Sequence, residues 1–284
     1  MQVGLSGATG FLGRHVRQDL ASREVETILL SRRQIDPQEL SSNETVKVCD
    51  IANIGAEIYQ EIGEPNVFIH LAWGGLPNYE SLHHIARELP SQINFIGQLI
   101  DGGLKSLVVT GTCLEYGMQE GRMIESAANS PTTAYGRAKD DLHKYIENRI
   151  DRTRFNLTWT RLFYLFGEGQ SSNSLYSSLC SALDSGEQDF MMSEGEQVRD
   201  FLDVRTAAKM LVDLALLNMN IGVVNVCSSN PVSVNAFVES IILKKNASIN
   251  LVRGVVPYPE YEPKSFWGSN EKLMNLVGGQ KELA

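Results

Sequence analysis

A chain of 284 residues with 34 acidic and 25 basic side chains carries a formal charge of −9. That balance argues against nonspecific nucleic-acid binding and against docking on an anionic membrane, though a local arginine cluster can still hold an anionic ligand. With 43% hydrophobic and 21% charged residues, the composition is that of a soluble globular protein with a sizeable core, in one large domain or two joined lobes. Cys49, Cys113, Cys180 and Cys227 are far apart and form no CxxC pair, so neither a disulfide framework nor a metal site is expected. The start lacks a basic stretch followed by an apolar one, and no apolar run reaches the ~18 residues that span a bilayer. A soluble cytoplasmic protein, with no membrane or nucleic-acid partner, is the expectation.

The first apolar run, 3–5, leads into GATGFLGRHV at 7–16. Gly7 permits a tight turn, Gly10 lets the backbone approach a ligand, and Gly13 lets the following helix, 11–20, pack on the strand. That helix start offers free N–H groups to a pyrophosphate. Gly7, Thr9, Gly10, Phe11, Leu12 and Gly13 are therefore candidate dinucleotide contacts, the alternative being a glycine turn needed only for packing. The second run, 28–30, is followed by Ser31-Arg32-Arg33. An NAD-binding site places an acid about 20 positions after the glycines to hold the ribose 2′-hydroxyl. Two arginines stand here instead, and guanidinium suits a 2′-phosphate. The residues thus favour NADP(H) over NAD(H), unless Arg32 and Arg33 form only a solvated loop.

The third run, 46–48, precedes Asp50-Ile51, and the fourth, 67–71, precedes Ala72-Trp73. Trp73 lines a ligand pocket or packs in the core. His83 and His84 are adjacent, face different ways on a helix and read as solvated. A helical pattern over 92–99 carries Asn94. The fifth run, 107–109, leads through Thr110 to Thr112-Cys-Leu-Glu115-Tyr116. A helix over 135–150 begins Tyr135-x-x-x-Lys139, a spacing of one turn that puts phenol and ammonium on one face. A neighbouring ammonium lowers a phenol pKa, so Tyr135 is expected to exchange a proton near neutral pH. A sixth run spans 157–162. Runs apolar on both faces that alternate with helices predict buried parallel strands in an α/β doubly wound parallel sheet, a Rossmann fold, over residues 1–165. Beyond 166 the alternation weakens. Residues 167–178 read as a loop, and 166–284 as a smaller, mainly substrate-binding lobe with some segments returning to the sheet.

The glycine loop, Asp50-Ile51, His70-Leu71-Ala72-Trp73, Asn94, the Thr112 loop, Tyr135/Lys139 and Arg199-Asp200-Phe201 come in an order that resembles the extended short-chain dehydrogenase/reductase family of nucleotide-sugar epimerases, dehydratases and ketoreductases. The resemblance implies that Thr112 bonds the substrate oxygen. It makes Tyr135 the general acid/base and Lys139 the residue that binds the nicotinamide ribose. Asp50 and Ile51 would contact adenine, and Leu71, Ala72 and Thr110 would line the cofactor site. It implies substrate contacts at Trp73, Asn94, Glu115, Tyr116, Tyr164 and Trp267, and at Arg199 for the diphosphate. Glu115 at a sheet edge, or Arg199 with Asp200 in a surface salt bridge, would equally suit solvent. It also implies a homodimer through the helices near 92–102 and 135–149.

Departures narrow the chemistry. Dehydratases of this family follow the catalytic Thr with Asp-Glu, where this chain has Cys113-Leu114. Members that epimerise at C3 and C5 carry a cysteine where Leu114 stands, and an Asn common in the turn after the sixth strand is replaced by Phe163-Tyr164. The segments 70–79, 110–117 and 261–268 resemble reductases of dTDP-4-keto-6-deoxyhexoses. The expectation is NADPH-dependent reduction of a nucleotide-linked 4-keto sugar. A 4-epimerase with bound NAD and a non-catalytic dinucleotide-binding regulator remain alternatives.

Overall fold

The computed structural model describes residues 1–153 and 155–278; the last residues of the expected second lobe, 279–284, lie outside them. Strands β1 (Gln2–Ser6), β2 (Glu26–Ser31), β3 (Glu44–Val48), β4 (Val67–His70) and β5 (Ser106–Thr112) belong to one sheet, with the later β7 (Asn156–Leu162) and β11 (Gly222–Val226). The 7-stranded sheet has the order β11-β7-β5-β4-β1-β2-β3, and every neighbouring pair is parallel. Helices α1 (Phe11–Ser22), α2 (Ile58–Glu61), α3 (Leu89–Asp101) and α4 (Ala134–Thr153) fall between the strands.

Strand periodicity assigns the two faces. Val3 and Leu5 of β1 and Val67 and Ile69 of β4 point one way, against Val16 and Leu20 of α1 and Leu211 of α6 (Val204–Leu217). Phe68 of β4 and Leu107 and Val109 of β5 point the other way, against Phe95 and Leu99 of α3 and Leu142 and Ile146 of α4. Each such buried side chain contributes roughly 1.5–3 kcal/mol. The third apolar run departs from the expected two-faced burial. β3 pairs only with β2, so as the sheet edge it leaves Val48 59% exposed.

The remaining elements lie mostly beyond the carboxyl edge. They are β6 (Gly121–Met123), β8 (Tyr164–Phe166), α5 (Leu175–Asp184), β9 (Asp189–Met191), β10 (Val198–Asp203), β12 (Pro231–Ser233), α7 (Val234–Lys244), β13 (Asn250–Val252), β14 (Phe266–Gly268) and α8 (Glu271–Gly278). β10 pairs with β8 and β12, β9 with β13, and β6 with β14. Phe201 and Phe237 stack with centroids 3.8 Å apart in the core of this region. The expected loop 167–178 is shorter than read, because the Ser174 hydroxyl accepts from the Ser177 N–H and starts α5 at Leu175. Leu211 and Leu273 pack in the core beneath the large sheet, so α6 and α8, like β11, return to it. Among the described residues no helix is long and apolar enough to cross a membrane.

Candidate active site

The chain order reverses between β4 and β1, and ligands in open α/β sheets bind in the crevice at such a switch point. Just past the end of β1 there stands Gly7, at φ +75°, a conformation that disfavours any side chain. A Cβ on Gly13 would collide with the Gly7 carbonyl, and one on Gly7 would press on the backbone of Ala72. The start of α1 carries no side-chain cap and no acid in its first turn. Its N–H groups and positive dipole end face a space kept open by missing side chains, a cradle that fits a pyrophosphate.

Two adjoining cavities share Gly7, Gly10, Leu71 and Trp73. The smaller, about 300 Å³, is lined also by Thr9, Arg32, Asp50, Ile51 and Ala72. Of the two arginines expected there, only Arg32 lines it. Arg33 is exposed and outside its lining, its backbone N–H donating to the Ser31 hydroxyl at 3.3 Å. The larger cavity, about 570 Å³, brings together Phe11, Leu12, Thr110, Thr112, Tyr135 and Lys139, with Leu114, Tyr164 and Glu262.

Thr112 is the last residue of β5. Its hydroxyl accepts from the Leu114 N–H at 3.3 Å and caps the single turn Cys113–Tyr116. Tyr135 and Lys139 rise from the first turns of α4, 8% and 1% exposed. Lys139 Nζ donates to the Thr110 carbonyl at 2.7 Å and lies 5.8 Å from the Tyr135 ring centroid. The expected acidification of Tyr135 is not found in the protein's own field. Burial, reinforced by Tyr79, Glu115 and Cys113, holds the phenol well above its ordinary value. The same burial pulls Lys139 down to about 7. For Tyr135, desolvation outweighs whatever the neighbouring ammonium contributes. Tyr135 is thus a protonated donor at neutral pH.

Several expected substrate contacts do not reach this cavity. Glu115 is neither solvated nor in the pocket. It is 0% exposed and accepts from Arg161 Nε at 2.8 Å, Trp159 Nε1 at 3.1 Å and the Thr112 N–H at 2.8 Å. Tyr116, also 0% exposed, packs among Cys113, Phe163 and Phe266, its hydroxyl donating to Asn225 of β11 at 2.7 Å. Asn94 lies on the exposed face of α3. The buried stripe of that helix is Gln92, Phe95, Ile96 and Leu99, and the Gln92 side-chain oxygen accepts from His70 Nε2 at 2.7 Å. Reading the 3.6-residue period from Phe95 would have found Gln92 and excluded Asn94. Trp267 sits in β14 beside β6, outside the cavity. Arg199 is 2% exposed and bonds Glu262 at 2.9 Å, so Glu262 rather than Arg199 faces the cavity. Asp200 is 0% exposed and accepts from Ser228, Ser229 and Gly268, not from Arg199. Tyr164 does line the cavity, and among the described residues its hydroxyl has no hydrogen-bond partner. His84, expected in solvent, is 0% exposed. It opens the short helical turn His84–Glu88 ahead of α3, and its ring lies 5.2 Å from that of Tyr135.

The model of the NAD dependent epimerase/dehydratase family matches residues 3–227. The chain belongs to that family. As a member it is an enzyme of the extended short-chain dehydrogenase/reductase type. It is 25% identical over 271 residues to the dTDP-6-deoxy-L-talose 4-dehydrogenase (NAD(+)) of Aggregatibacter actinomycetemcomitans, covering 95% of this chain and 100% of the relative. It is 21% identical over 282 residues to the GDP-6-deoxy-D-talose 4-dehydrogenase of the same organism, covering 98% and 92%. The fold is shared with the UDP-glucuronic acid 4-epimerase of Bacillus cereus, solved with UDP-glucuronic acid and NAD. That match has a TM-score of 0.82 at 19% identity, over 98% of this chain and 93% of the other.

Proposed function

We propose that this family member reduces the 4-keto group of a nucleotide-linked 4-keto-6-deoxyhexose, with a dTDP carrier, using a nicotinamide dinucleotide. The observation that carries the reading is Leu114 on the cavity wall beside Thr112 and Tyr135. Dehydratases need an acid and a base there for water elimination, and a leucine side chain supplies neither. Cys113 is no substitute, since burial pushes its thiol up and away from thiolate. Tyr135, with its proton retained, fits a single proton transfer to a ketone oxygen. The dTDP carrier and the deoxyhexose draw support from the talose 4-dehydrogenase relative, whose name carries both.

The glycine turn would hold the pyrophosphate, Asp50 and Ile51 the adenine side, and Lys139 the nicotinamide ribose. When bound in reduced form the dinucleotide supplies hydride. The chain's own residues do the rest. The Thr112 hydroxyl donates to the ketone oxygen, the Tyr135 phenol delivers the proton that completes the alcohol, and Lys139 stabilises the tyrosinate left behind. Tyr164, with an unpartnered hydroxyl, offers a further donor to the sugar nucleotide. On cofactor choice, no acid beside Ser31 repels a 2′-phosphate, and Arg32 can pair with one. The printed name of the 25% relative carries NAD(+). The reading is that the pocket accepts both dinucleotides, with Arg32 setting their ratio. The facing helices α3 and α4 are the surface on which a dimer would form.

The test is incubation with NADPH or NADH and a panel of dTDP-, GDP-, CDP- and UDP-4-keto-6-deoxyhexoses, with mass spectrometry of the products. A product richer by one hydride and one proton, strongest in the dTDP series, supports the reading. Stoichiometric bound NAD that interconverts C4 isomers with no net oxidation would make it an epimerase. Dinucleotide binding without turnover would make it a regulator.

A further inference from the structure

Lys139 is withdrawn from solvent and touches no carboxylate. Besides the Thr110 carbonyl, its ammonium rests most closely on an aromatic face: Nζ lies 4.0 Å from the centre of the Trp73 ring, against 5.8 Å for Tyr135. The indole does not hold that position by packing alone. Its Nε1–H donates to His84 Nδ1 at 3.1 Å, and His84 Nε2 in turn donates to the Asn78 carbonyl at 2.8 Å. The two bonds specify the neutral tautomer of His84, acceptor toward Trp73 and donor toward Asn78. The same rings box the phenol, Trp73 edge-on at 5.7 Å between centroids and His84 at 5.2 Å. Trp73 also lines both cavities.

We propose that Trp73 and His84 are positioning residues for the proton-transfer pair. The indole face is the counter-surface of the Lys139 ammonium, and His84 locks that face in place. The inference rests on the reading of Tyr135 and Lys139 as the working pair. An indole face attracts a cation through its quadrupole, and the attraction grows where water is excluded. Burial drives Lys139 toward the neutral amine, and the platform opposes it. The other titratable or charged groups that face Lys139 are Glu115 from the turn after β5, Glu88 from the helical turn before α3, His70 at the end of β4 and Tyr135 on α4 itself. Glu88 is tied into the same wall, accepting from the Gly74 N–H at 2.9 Å and bonding His83 at 3.1 Å.

The experiment is an NMR titration of the Lys139 ε-carbon in protein made with ¹³C-labelled lysine, the signal assigned with Lys139→Met. Trp73→Leu removes the platform and Trp73→Phe keeps a ring face without the N–H. His84→Leu unlocks the indole, whereas His84→Gln retains an acceptor and a donor. Thermal melts establish which variants are folded. Expected is a downward move of the Lys139 midpoint by about one unit in Trp73→Leu, the order expected of a desolvated cation on an aromatic face. A smaller move in His84→Leu and a near wild-type midpoint in His84→Gln complete the pattern. Should Trp73→Leu not fold, Trp73→Phe and His84→Leu carry the test. An unmoved midpoint in whichever of Trp73→Leu and His84→Leu is folded overturns the proposal. The titration needs no substrate, so it is read the same way if the keto-sugar panel shows no turnover. With an active substrate, kcat falls roughly tenfold in His84→Leu and recovers in His84→Gln.

Discussion

Arg161 and Lys139 are both buried cations, 2% and 1% exposed, yet their surroundings differ in kind. Arg161, on β7, meets the Glu115 carboxylate at 2.8 Å and the Asn129 carbonyl oxygen at 2.6 Å, with its guanidinium carbon 4.4 Å above the Tyr116 ring. Glu115 is satisfied in turn by Trp159 and by the Thr112 N–H. Lys139 has the Thr110 carbonyl and the Trp73 face, with the Tyr135 ring farther off. The first cation belongs to an ion pair that fixes the turn carrying Thr112. The second is left short of counter-charge beside the phenol proposed to transfer a proton. A buried charge held against a carboxylate holds a shape, whereas one without such a partner stays responsive to whatever enters the cavity.

The comparison can be broken at either end. The largest expected effect is on the responsive side. Tyr135→Phe should lower kcat by roughly 10²–10⁴-fold while leaving the melting temperature near that of the parent. A comparable loss of fold would instead make the phenol structural. Next, Arg161→Met leaves Glu115 buried and uncompensated, and urea denaturation should register a loss of roughly 3–5 kcal/mol. Combining it with Glu115→Gln should recover part of that loss. If the double variant is no more stable than the single one, the pair is not the unit described.

Lys139→Met should do the reverse of Arg161→Met. It abolishes turnover and raises the stability of the dinucleotide-free protein. The sign follows from the depressed pKa, about 7 when folded against 10.5 ordinarily. Between those values the unfolded chain binds more protons, so stability rises with pH through this window and is lost as pH falls toward the folded value. The gain in Tm from Lys139→Met should be roughly 5 °C or more near pH 7, and should shrink toward pH 10. Equal gains at both pH values would show that Lys139 is not protonated at a cost. The smallest effect belongs to an exposed cation. Arg32→Glu should shift the NADPH-to-NADH ratio of kcat/KM roughly tenfold toward NADH, with no change in melting. An unchanged ratio would place Arg32 outside cofactor choice.

Much of this was legible in the residues. The glycine spacing after a short apolar run located the crevice, and the one-turn spacing of Tyr135 and Lys139 placed both on one face of α4. Other parts were not. Glu115 reads as a surface acid until Arg161, 46 positions on, is folded against it. His84 reads as solvated until the helical turn before α3 carries it against Tyr135. Asn94 was misplaced by two positions on its helix, an error that the period of the flanking apolar residues could have corrected.

What the sequence determined by itself was local: backbone that needs glycine, strands that need apolar runs, and side chains one helical turn apart. These depend on neighbours in the chain, and 3.6- and 2-residue periods transmit them faithfully. What only the tertiary structure decided was how deeply each ionisable group is withdrawn from water and what then faces it. Desolvation is set by segments that are distant along the chain. That is why the direction of the Tyr135 shift, the partner of Glu115 and the platform beneath Lys139 emerge only when the chain has closed over them.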